Sequence, residues 1–333
     1  MRSFMKKTPL LLLIIALAFG AGYLVSQMTH VHSGFNLTTL RDNQDDIVDP
    51  IIDIDVPKSI GSNRRIKNVI DAINEQAKVH EDSHAVEKLG IYFRDLKDGS
   101  WYGRGEQELF APASLLKVPL MIAYLKLSES DPEVLKKKVP YDDTYPLEDQ
   151  NAIMNFMPEK YAVKGQSYTI DELLAYMIVY SDNNAKNLLY LNLDEQKLND
   201  VYDDLGMKNI KSATAPTAGI LSVKDAATAY RVLYNATYLT ESNSRKAIKL
   251  LLQDRFQEGI AAGIPDSIQF AGKYGERSYD ATRQLHDCGI VYYPKRPYVL
   301  CIMTRGSDYD ELVRVISDIS QSVYDAYDQQ TPQ

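Results

Sequence analysis

The chain is poor in the residue types that mark specialised protein classes. It has two cysteines in 333 residues, too few for a disulfide scaffold or a four-cysteine zinc site. It also lacks an excess of positive charge, because 37 lysines and arginines stand against 45 aspartates and glutamates, for a net charge of -8. Nucleic acid is therefore not an expected partner. With 45% hydrophobic and 25% charged residues, the composition is that of an ordinary globular protein.

One long apolar run stands out, from Leu10 to Val25, and Arg2, Lys6 and Lys7 precede it. Its length exceeds the roughly 7–15 residues of a signal-peptide core and falls just short of the roughly 17–25 of a spanning helix. A cleaved signal and a retained anchor both stay open, and we favour the anchor. Because a basic flank stays in the cytoplasm, we expect the rest of the chain on the outer side of the cell membrane.

Four segments are predicted along the chain. Residues 1–27 form the membrane anchor or signal, and residues 28–63 form a polar tether with six aspartates between Arg41 and Val56. Residues 64–327 form one folded domain, and residues 328–333 a short tail. The sequence shows no internal repeat and gives no indication of oligomeric state.

The folded part begins and ends with helical patterns around strand-like runs. Apolar residues recur at helical spacing from Ile66 to Ala77 and again from Leu312 to Val323. Strand-like runs lie at Leu89–Leu96, Ser100–Gly103, Ile268–Tyr274, His286–Tyr293 and Tyr298–Thr304. Between the second and third runs, residues 114–259 are mostly helical in pattern. This order predicts an α/β (α+β) fold: a five-stranded antiparallel sheet flanked by the terminal helices, with an all-helical insertion and a cleft where the two meet.

Ser114 and Lys117 lie three residues apart at the start of a helical run. At that spacing their side chains share one helix face. A serine hydroxyl becomes a good nucleophile when a neighbouring base takes its proton, and a desolvated lysine can be that base. The amide of Ser114, at a helix N-terminus, is suited to stabilise an oxyanion. Alone, a Ser-x-x-Lys match is usually structural.

Two further motifs follow in order. Ser181-Asp182-Asn183 opens another helix, where a hydroxyl could protonate a leaving nitrogen and an amide could hold a substrate amide. Helix capping is the simpler interpretation of those residue types. Lys273-Tyr274-Gly275 ends the third strand-like run, and its lysine could lower the pKa of Lys117. An exposed lysine at a sheet edge is the simpler alternative there.

The three motifs together, in this order and at the joins between sheet and insertion, resemble those of class A β-lactamases and penicillin-binding proteins. The resemblance covers about residues 64–327. It implies a serine hydrolase that needs no cofactor or metal and acts through a covalent acyl-enzyme on β-lactam rings or on D-alanyl amides of peptidoglycan stem peptides. The roles implied are as follows: Ser114 is the nucleophile, Lys117 its base, Ser181 a proton relay, Asn183 a binder of the substrate amide, Lys273 a source of positive potential, Gly275 a point of close substrate approach, and the amides of Ser114 and Glu276 the oxyanion hole.

Two positions depart from that family's pattern. The family places a water-activating glutamate in a loop after the second motif, whereas residues 208–221 contain no carboxylate. We therefore expect slow release of an acyl group. The family also has threonine or serine where this chain has Tyr274, which puts recognition of a substrate carboxylate in question.

Three alternatives remain open at this point. The motif His80-Glu81-Asp82-Ser83-His84 matches the zinc-protease pattern His-Glu-x-x-His, although we favour a solvated surface turn. The non-enzymatic alternative is an anchored protein that binds wall peptides or β-lactams without hydrolysing them. Cys288 and Cys301 straddle a predicted hairpin turn almost symmetrically, so a bridge is possible, but we favour two buried free thiols.

Overall fold

The computed structural model describes residues 47–50, 66–143, 154–207, 209–210 and 220–330. The strands in this part are β1 (Lys88–Asp95), β2 (Trp101–Arg104), β3 (Leu109–Phe110), β4 (Lys138–Pro140), β5 (Ser167–Thr169), β6 (Leu221–Ser222), β7 (Phe270–Tyr279), β8 (Thr282–Val291) and β9 (Tyr298–Gly306). The α-helices are α1 (Lys67–Asp82), α2 (Lys117–Ser128), α3 (Ile170–Val179), α4 (Asn183–Leu191), α5 (Glu195–Asp204), α6 (Val223–Tyr234), α7 (Glu241–Leu251) and α8 (Tyr309–Gln330).

Five strands form one antiparallel sheet in the order β2-β1-β9-β8-β7. This confirms the predicted sheet and the hairpin between its last two strands. The strands β1 and β9 are buried along almost their whole length because both faces of the sheet are covered. The terminal helices α1 and α8 cover one face, and the side chains that they bury include Ile73 and Ile319.

The other face of the sheet meets the helical insertion, α2 to α7. Its centre is α2, whose side chains are buried without interruption from Lys117 to Leu125. A helix that is buried on all sides lies in the middle of a core. Capping residues define the starts of the surrounding helices: Thr169 and Glu172 form a capping box at the start of α3, and Ser222 caps α6.

The two cysteines are joined by a disulfide, which corrects our expectation of free thiols. Cys288 on β8 is the direct cross-strand partner of Cys301 on β9, with Cα atoms 4.0 Å apart. Both residues are fully buried on the face that meets the insertion. Because the two cysteines lie almost symmetrically about the hairpin turn, the strand register pairs them and brings their sulfur atoms together.

Residues outside the predicted domain also belong to the folded structure: a stretch before it packs against the domain, and the last helix extends beyond it. Val48, inside the predicted tether, is fully buried, and the Asp49 amide donates to the Tyr234 carbonyl at 2.9 Å. At the other end, α8 continues to Gln330, past the predicted start of the tail at residue 328.

The predicted membrane segment, residues 1–27, lies outside the described residues. No helix of the described part is both long and apolar enough to cross a bilayer.

Candidate active site

Ser114 lies in a single 3-10 turn, Ala113–Leu116, immediately before α2. Ala113 has φ of 49°, a left-handed conformation that reverses the chain just ahead of the serine. The edge strand β7 passes directly beside this turn. A Cβ atom at Gly275 would lie 3.1 Å from the Ser114 amide nitrogen, so glycine permits the close approach of strand to turn.

Lys117, the first residue of α2, reaches the Ser-Asp-Asn segment. Its Nζ donates to the Ser181 carbonyl oxygen at 2.5 Å and lies 3.1 Å from the Ser181 Oγ. The side chain is almost fully buried, and burial holds its pKa well below the usual value. The positive charges of Lys273 and Lys186 lower the pKa further, while Asp182 and Asp254 oppose them. Burial and the neighbouring lysines favour the neutral amine, which is the form that accepts a proton.

The three residues of the second motif, Ser181-Asp182-Asn183, have different structural roles. Ser181, with φ of 58°, is fully buried and faces Lys117. Asp182 caps α4 by accepting from the Asn184 amide at 2.8 Å, and it also accepts from the Ala162 amide at 2.7 Å. Asn183 lines the cavity in front of Ser114. The capping interpretation therefore fits the aspartate, and the serine and asparagine face the site.

Lys273 on β7 is fully buried, so the exposed edge lysine that we considered is excluded. Its Nζ lies 3.5 Å from the Asp254 carboxylate and 4.1 Å from the centre of the Tyr274 ring. Burial lowers the pKa of Lys273 and raises that of Asp254 to about 6. Each charge is desolvated, and the other charge offsets part of that cost.

A cavity of about 650 Å³ opens in front of Ser114. It lies where the helical insertion meets the edge of the sheet, as the sequence predicts. Among the predicted site residues, Ser114, Lys117, Asn183 and Glu276 line it, whereas Lys273 and Ser181 lie behind that lining. The remaining lining residues are Ala113, Leu116, Leu120, Met154, Lys186, Asn187, Tyr190, Leu198, Tyr202, Arg277, Ser278 and Tyr309.

Glu276 has a second role that the sequence did not indicate. Its carboxylate accepts from the amides of Asn155 and Phe156 at 2.9 and 3.0 Å. Burial raises its pKa, and those two amides oppose the rise. The side chain thus holds the segment around Phe156 against β7, while its backbone lies at the strand edge beside Ser114.

Lys186 and Arg277 also belong to the cavity, although the sequence analysis passed over both. Asn183, Lys186, Asn187 and Tyr190 follow one stripe of α4 at helical spacing. Projecting that helix from Asn183 would have found Lys186. Burial lowers the pKa of the Lys186 amine. Arg277 could not be found in this way, because its position depends on the path of the edge strand.

The zinc-protease pattern at His80 does not form a zinc helix. α1 ends at Asp82, and His84 lies beyond it with φ of 61°. A zinc-binding pair of this type needs both imidazoles on one helix face, one turn apart. His80 instead faces Asp318 on α8, with Nε2 3.4 Å from its carboxylate.

Residues 65–327 match the model of the β-lactamase enzyme family. The chain belongs to this family. It is a serine hydrolase of the class A type, as its motifs predicted. The β-lactamase ROB-1 of Haemophilus influenzae is 28% identical over 236 residues, which are 65% of this chain and 72% of that protein.

Solved structures share the fold. The structure of PBP-A has a TM-score of 0.65 at 20% identity and covers 78% of this chain and 96% of its own. A PBP-A mutant solved as an acyl-enzyme complex with penicillin G has a TM-score of 0.66 at 21% identity, covering 78% and 97%. A β-lactamase from Burkholderia phymatum has a TM-score of 0.64 at 21% identity, covering 79% and 100%.

Proposed function

We propose that this protein hydrolyses an amide or ester through a covalent acyl-enzyme on Ser114. One observation carries the proposal: the buried Lys117 amine, one helical turn from Ser114, lies 3.1 Å from the Ser181 hydroxyl. A nucleophile, a base with a lowered pKa and a second hydroxyl thus occupy one site. The family supplies the substrate class, which we propose to be β-lactam rings or D-alanyl amides of wall peptides.

The chemical step proceeds as follows. The Ser114 Oγ attacks the substrate carbonyl carbon while Lys117 Nζ takes the hydroxyl proton. The oxyanion accepts hydrogen bonds from the amides of Ser114 and Glu276, which the close approach at Gly275 brings to one place. The bond from carbon to the leaving nitrogen or oxygen then breaks, and the proton passes from Lys117 through Ser181 to the leaving atom. Asn183 holds the amide on the acyl side of the substrate.

Release of the acyl group is proposed to be slow. Water must attack the ester, and this attack needs a base to deprotonate it. Residues 208–221 contain no carboxylate, and most of them lie outside the described residues. General-base assistance is worth about 10²–10⁴-fold, so its loss adds roughly 3–5 kcal/mol to the barrier for release. An acyl adduct therefore accumulates.

Intact-mass spectrometry with penicillin G and with a fluorophosphonate probe tests the proposal. Both reagents should add one label to the wild-type protein, and Ser114→Ala should prevent both additions. Ser130 is an exposed serine two residues beyond the end of α2, and Ser130→Ala is the matched control that should label like wild type. Labelling that persists in Ser114→Ala contradicts the nucleophile assignment, and a chase that removes the penicillin adduct within seconds contradicts slow release.

We also propose that the N-terminal segment retains the protein at the outer face of the bacterial cytoplasmic membrane. The basic flank and apolar run before residue 26 support this proposal. Membrane fractions should contain the full-length chain. Recovery only as a soluble form that begins between residues 19 and 30 would show that the segment is a cleaved signal.

A further inference from the structure

Two cations line the cavity without an acidic partner. Lys186 lies on α4 and Arg277 on β7, and within the described residues neither side chain forms an ion pair. The Arg277 Nε is buried and has no hydrogen-bond partner among those residues. Burial lowers the pKa of Lys186, and no described carboxylate opposes this fall. We call these two residues the cationic pair.

Other cations of this protein that have little exposure are matched by acids. The Lys273 ammonium lies 3.5 Å from the Asp254 carboxylate, and the Arg296 guanidinium donates to the Asp98 carboxylate at 2.8 Å. Taking a charge out of water is costly unless an opposite charge or hydrogen bonds offset the cost. An anion bound in the cavity would provide that offset for the cationic pair.

Glu276 is the acidic residue among the described lining residues, and its carboxylate is engaged elsewhere. It accepts from the amides of Asn155 and Phe156. With Lys117 counted as a neutral amine, the described lining still carries two positive charges against at most one negative charge. The cavity therefore favours an anionic ligand.

The position of Lys186 points to the acyl side of the substrate. Ser181, the proposed relay to the leaving atom, comes first along this part of the chain, and Asn183, proposed to hold the acyl amide, opens α4. Lys186 follows Asn183 at a spacing of three residues, which places their Cβ atoms about 5–6 Å apart on one helix face. A group attached to the acyl amide is thus within reach of the Lys186 ammonium.

The cavity lining places Arg277 on the same side. Asn183, Lys186 and Arg277 all line the cavity, whereas Ser181 and Lys273 do not. The open space in front of Ser114 is therefore bounded by the groups proposed to hold the acyl part and not by the relay to the leaving atom. Both members of the cationic pair face that space.

The rest of the lining suits an acyl group with an apolar stem. It includes Leu116, Leu120, Met154 and Leu198. A planar guanidinium binds a carboxylate through two parallel hydrogen bonds, and an ammonium adds a compact point charge. An acyl chain that is apolar along its length and ends in a carboxylate matches both parts of this lining.

We propose that Lys186 and Arg277 determine specificity by binding a carboxylate on the acyl part of the substrate, so that the enzyme prefers acidic acyl groups. The proposal rests on the acyl-enzyme function proposed above. It narrows that function to amides or esters of an acyl group that carries a second, free carboxylate.

Three esters test this proposal. The ester of N-succinamoylglycine with 3-hydroxybenzamide has no charge. The ester of N-succinylglycine with the same phenol has a carboxylate on the acyl side, and the ester of N-succinamoylglycine with 3-hydroxybenzoic acid has it on the leaving side. After correction for rates without enzyme, kcat/KM of the wild-type enzyme at pH 7 should be about tenfold or more higher for the acyl-side anion than for the uncharged ester. The leaving-side anion should show no such gain. Because kcat/KM reports acylation, slow release of the acyl group does not affect the comparison.

Variants of the cationic pair should remove the preference. Arg277→Gln and Lys186→Gln should each lower the ratio of kcat/KM between the acyl-side anion and the uncharged ester by about threefold or more, and the double variant should bring it close to one. A change in the protonation of Lys117 affects both esters equally and cancels in this ratio. Arg314→Gln, at an exposed position of α8, is the matched control and should keep the wild-type ratio.

The possible failures are distinguishable. A wild-type ratio near one, or a preference that the double variant keeps, overturns this inference and leaves the proposed function intact when hydrolysis depends on Ser114. A gain for the leaving-side anion that Arg277→Gln removes also overturns it, because Arg277 would then bind the leaving group.

An enzyme that hydrolyses none of the three esters and resists the fluorophosphonate probe overturns the proposed function itself. Where turnover is too slow to follow, protection of Ser114 from the probe by each ester gives the same comparison. The wild-type comparison of the acyl-side and leaving-side anions tests the inference even if a variant fails to fold.

Discussion

His286 and Asp287 are neighbours on β8 whose side chains point to opposite faces of the sheet, and each holds a different loop near the site. His286 Nε2 donates to the Ala111 carbonyl oxygen at 2.9 Å, three residues before Ser114. Its Nδ1 accepts from the Thr304 amide at 3.3 Å, which leaves Nε2 as the protonated nitrogen. Asp287 accepts from the Ile260 amide at 2.8 Å. The two residues respond to pH in opposite directions.

His286 should make the protein sensitive to acid. Burial lowers the pKa of His286 from its ordinary 6.5 to about 4. Between these two pH values the unfolded state binds a proton on this imidazole and the folded state does not. The stability that this group contributes is present above pH 6.5 and is lost as the pH falls towards 4, by up to about 3 kcal/mol. Urea unfolding at pH 7 and pH 4.5 should show a smaller loss for His286→Gln than for wild type. Equal losses would show that His286 does not cause the sensitivity.

Asp287 should make the protein less stable as the pH rises. Burial raises the pKa of Asp287 to about 7 from an ordinary 3.8, so the folded state binds the proton more tightly than the unfolded state does. Stability is full below pH 4 and falls as the pH rises through 7, by up to about 4 kcal/mol at pH 8. Asp287→Asn keeps an acceptor for the Ile260 amide and should stabilise the protein at pH 8 but not at pH 4. Thermal unfolding at both values measures the difference, and a variant that is less stable at pH 8 would refute the argument.

Lys186 should shift the pH dependence of acylation. Its positive charge helps to lower the pKa of Lys117, so Lys186→Gln should raise that pKa. Because acylation needs the neutral amine, the acidic limb of the acylation profile should move to higher pH while the alkaline plateau stays nearly unchanged. Rates of fluorophosphonate labelling between pH 5 and 9 would measure the midpoint of this acidic limb. Lys78→Gln, on the exposed side of α1, is the control and should leave the midpoint in place.

The disulfide should contribute measurably to stability. Cys288 and Cys301 are 13 residues apart, and cross-linking a loop of this size stabilises a protein by roughly 3 kcal/mol. Protein isolated without reductant should show no free thiol after unfolding, and Cys288→Ala with Cys301→Ala should lower the free energy of unfolding by about 2–3 kcal/mol. Two titratable thiols in wild-type protein would restore our first expectation of free cysteines.

Local patterns predicted most of the fold because each strand and terminal helix carries its own apolar period. The motif residues converge because they lie at the joins between sheet and insertion, where the chain returns to one edge. The aromatic packing around Tyr274, beside Lys273, could not be predicted in this way. It depends on Phe156 and Phe256, which are distant from Tyr274 in sequence and meet it only through packing. The free-thiol expectation failed for a similar reason, since it weighed burial and did not fix the strand register.

The docking of residues 47–50 changes how far an anchored form of this protein can extend. Besides the Asp49 contact, the Tyr292 hydroxyl donates to the Ile47 carbonyl oxygen at 2.9 Å, so this short stretch is held at two points on the domain. Between the predicted membrane segment and this docked stretch, the predicted tether then has residues 28–46, which is 19 residues instead of the 36 in residues 28–63. At about 3.4 Å per extended residue, the greatest reach falls from roughly 120 Å to about 65 Å. An anchored enzyme of this design would work only on substrates in the layer nearest the membrane.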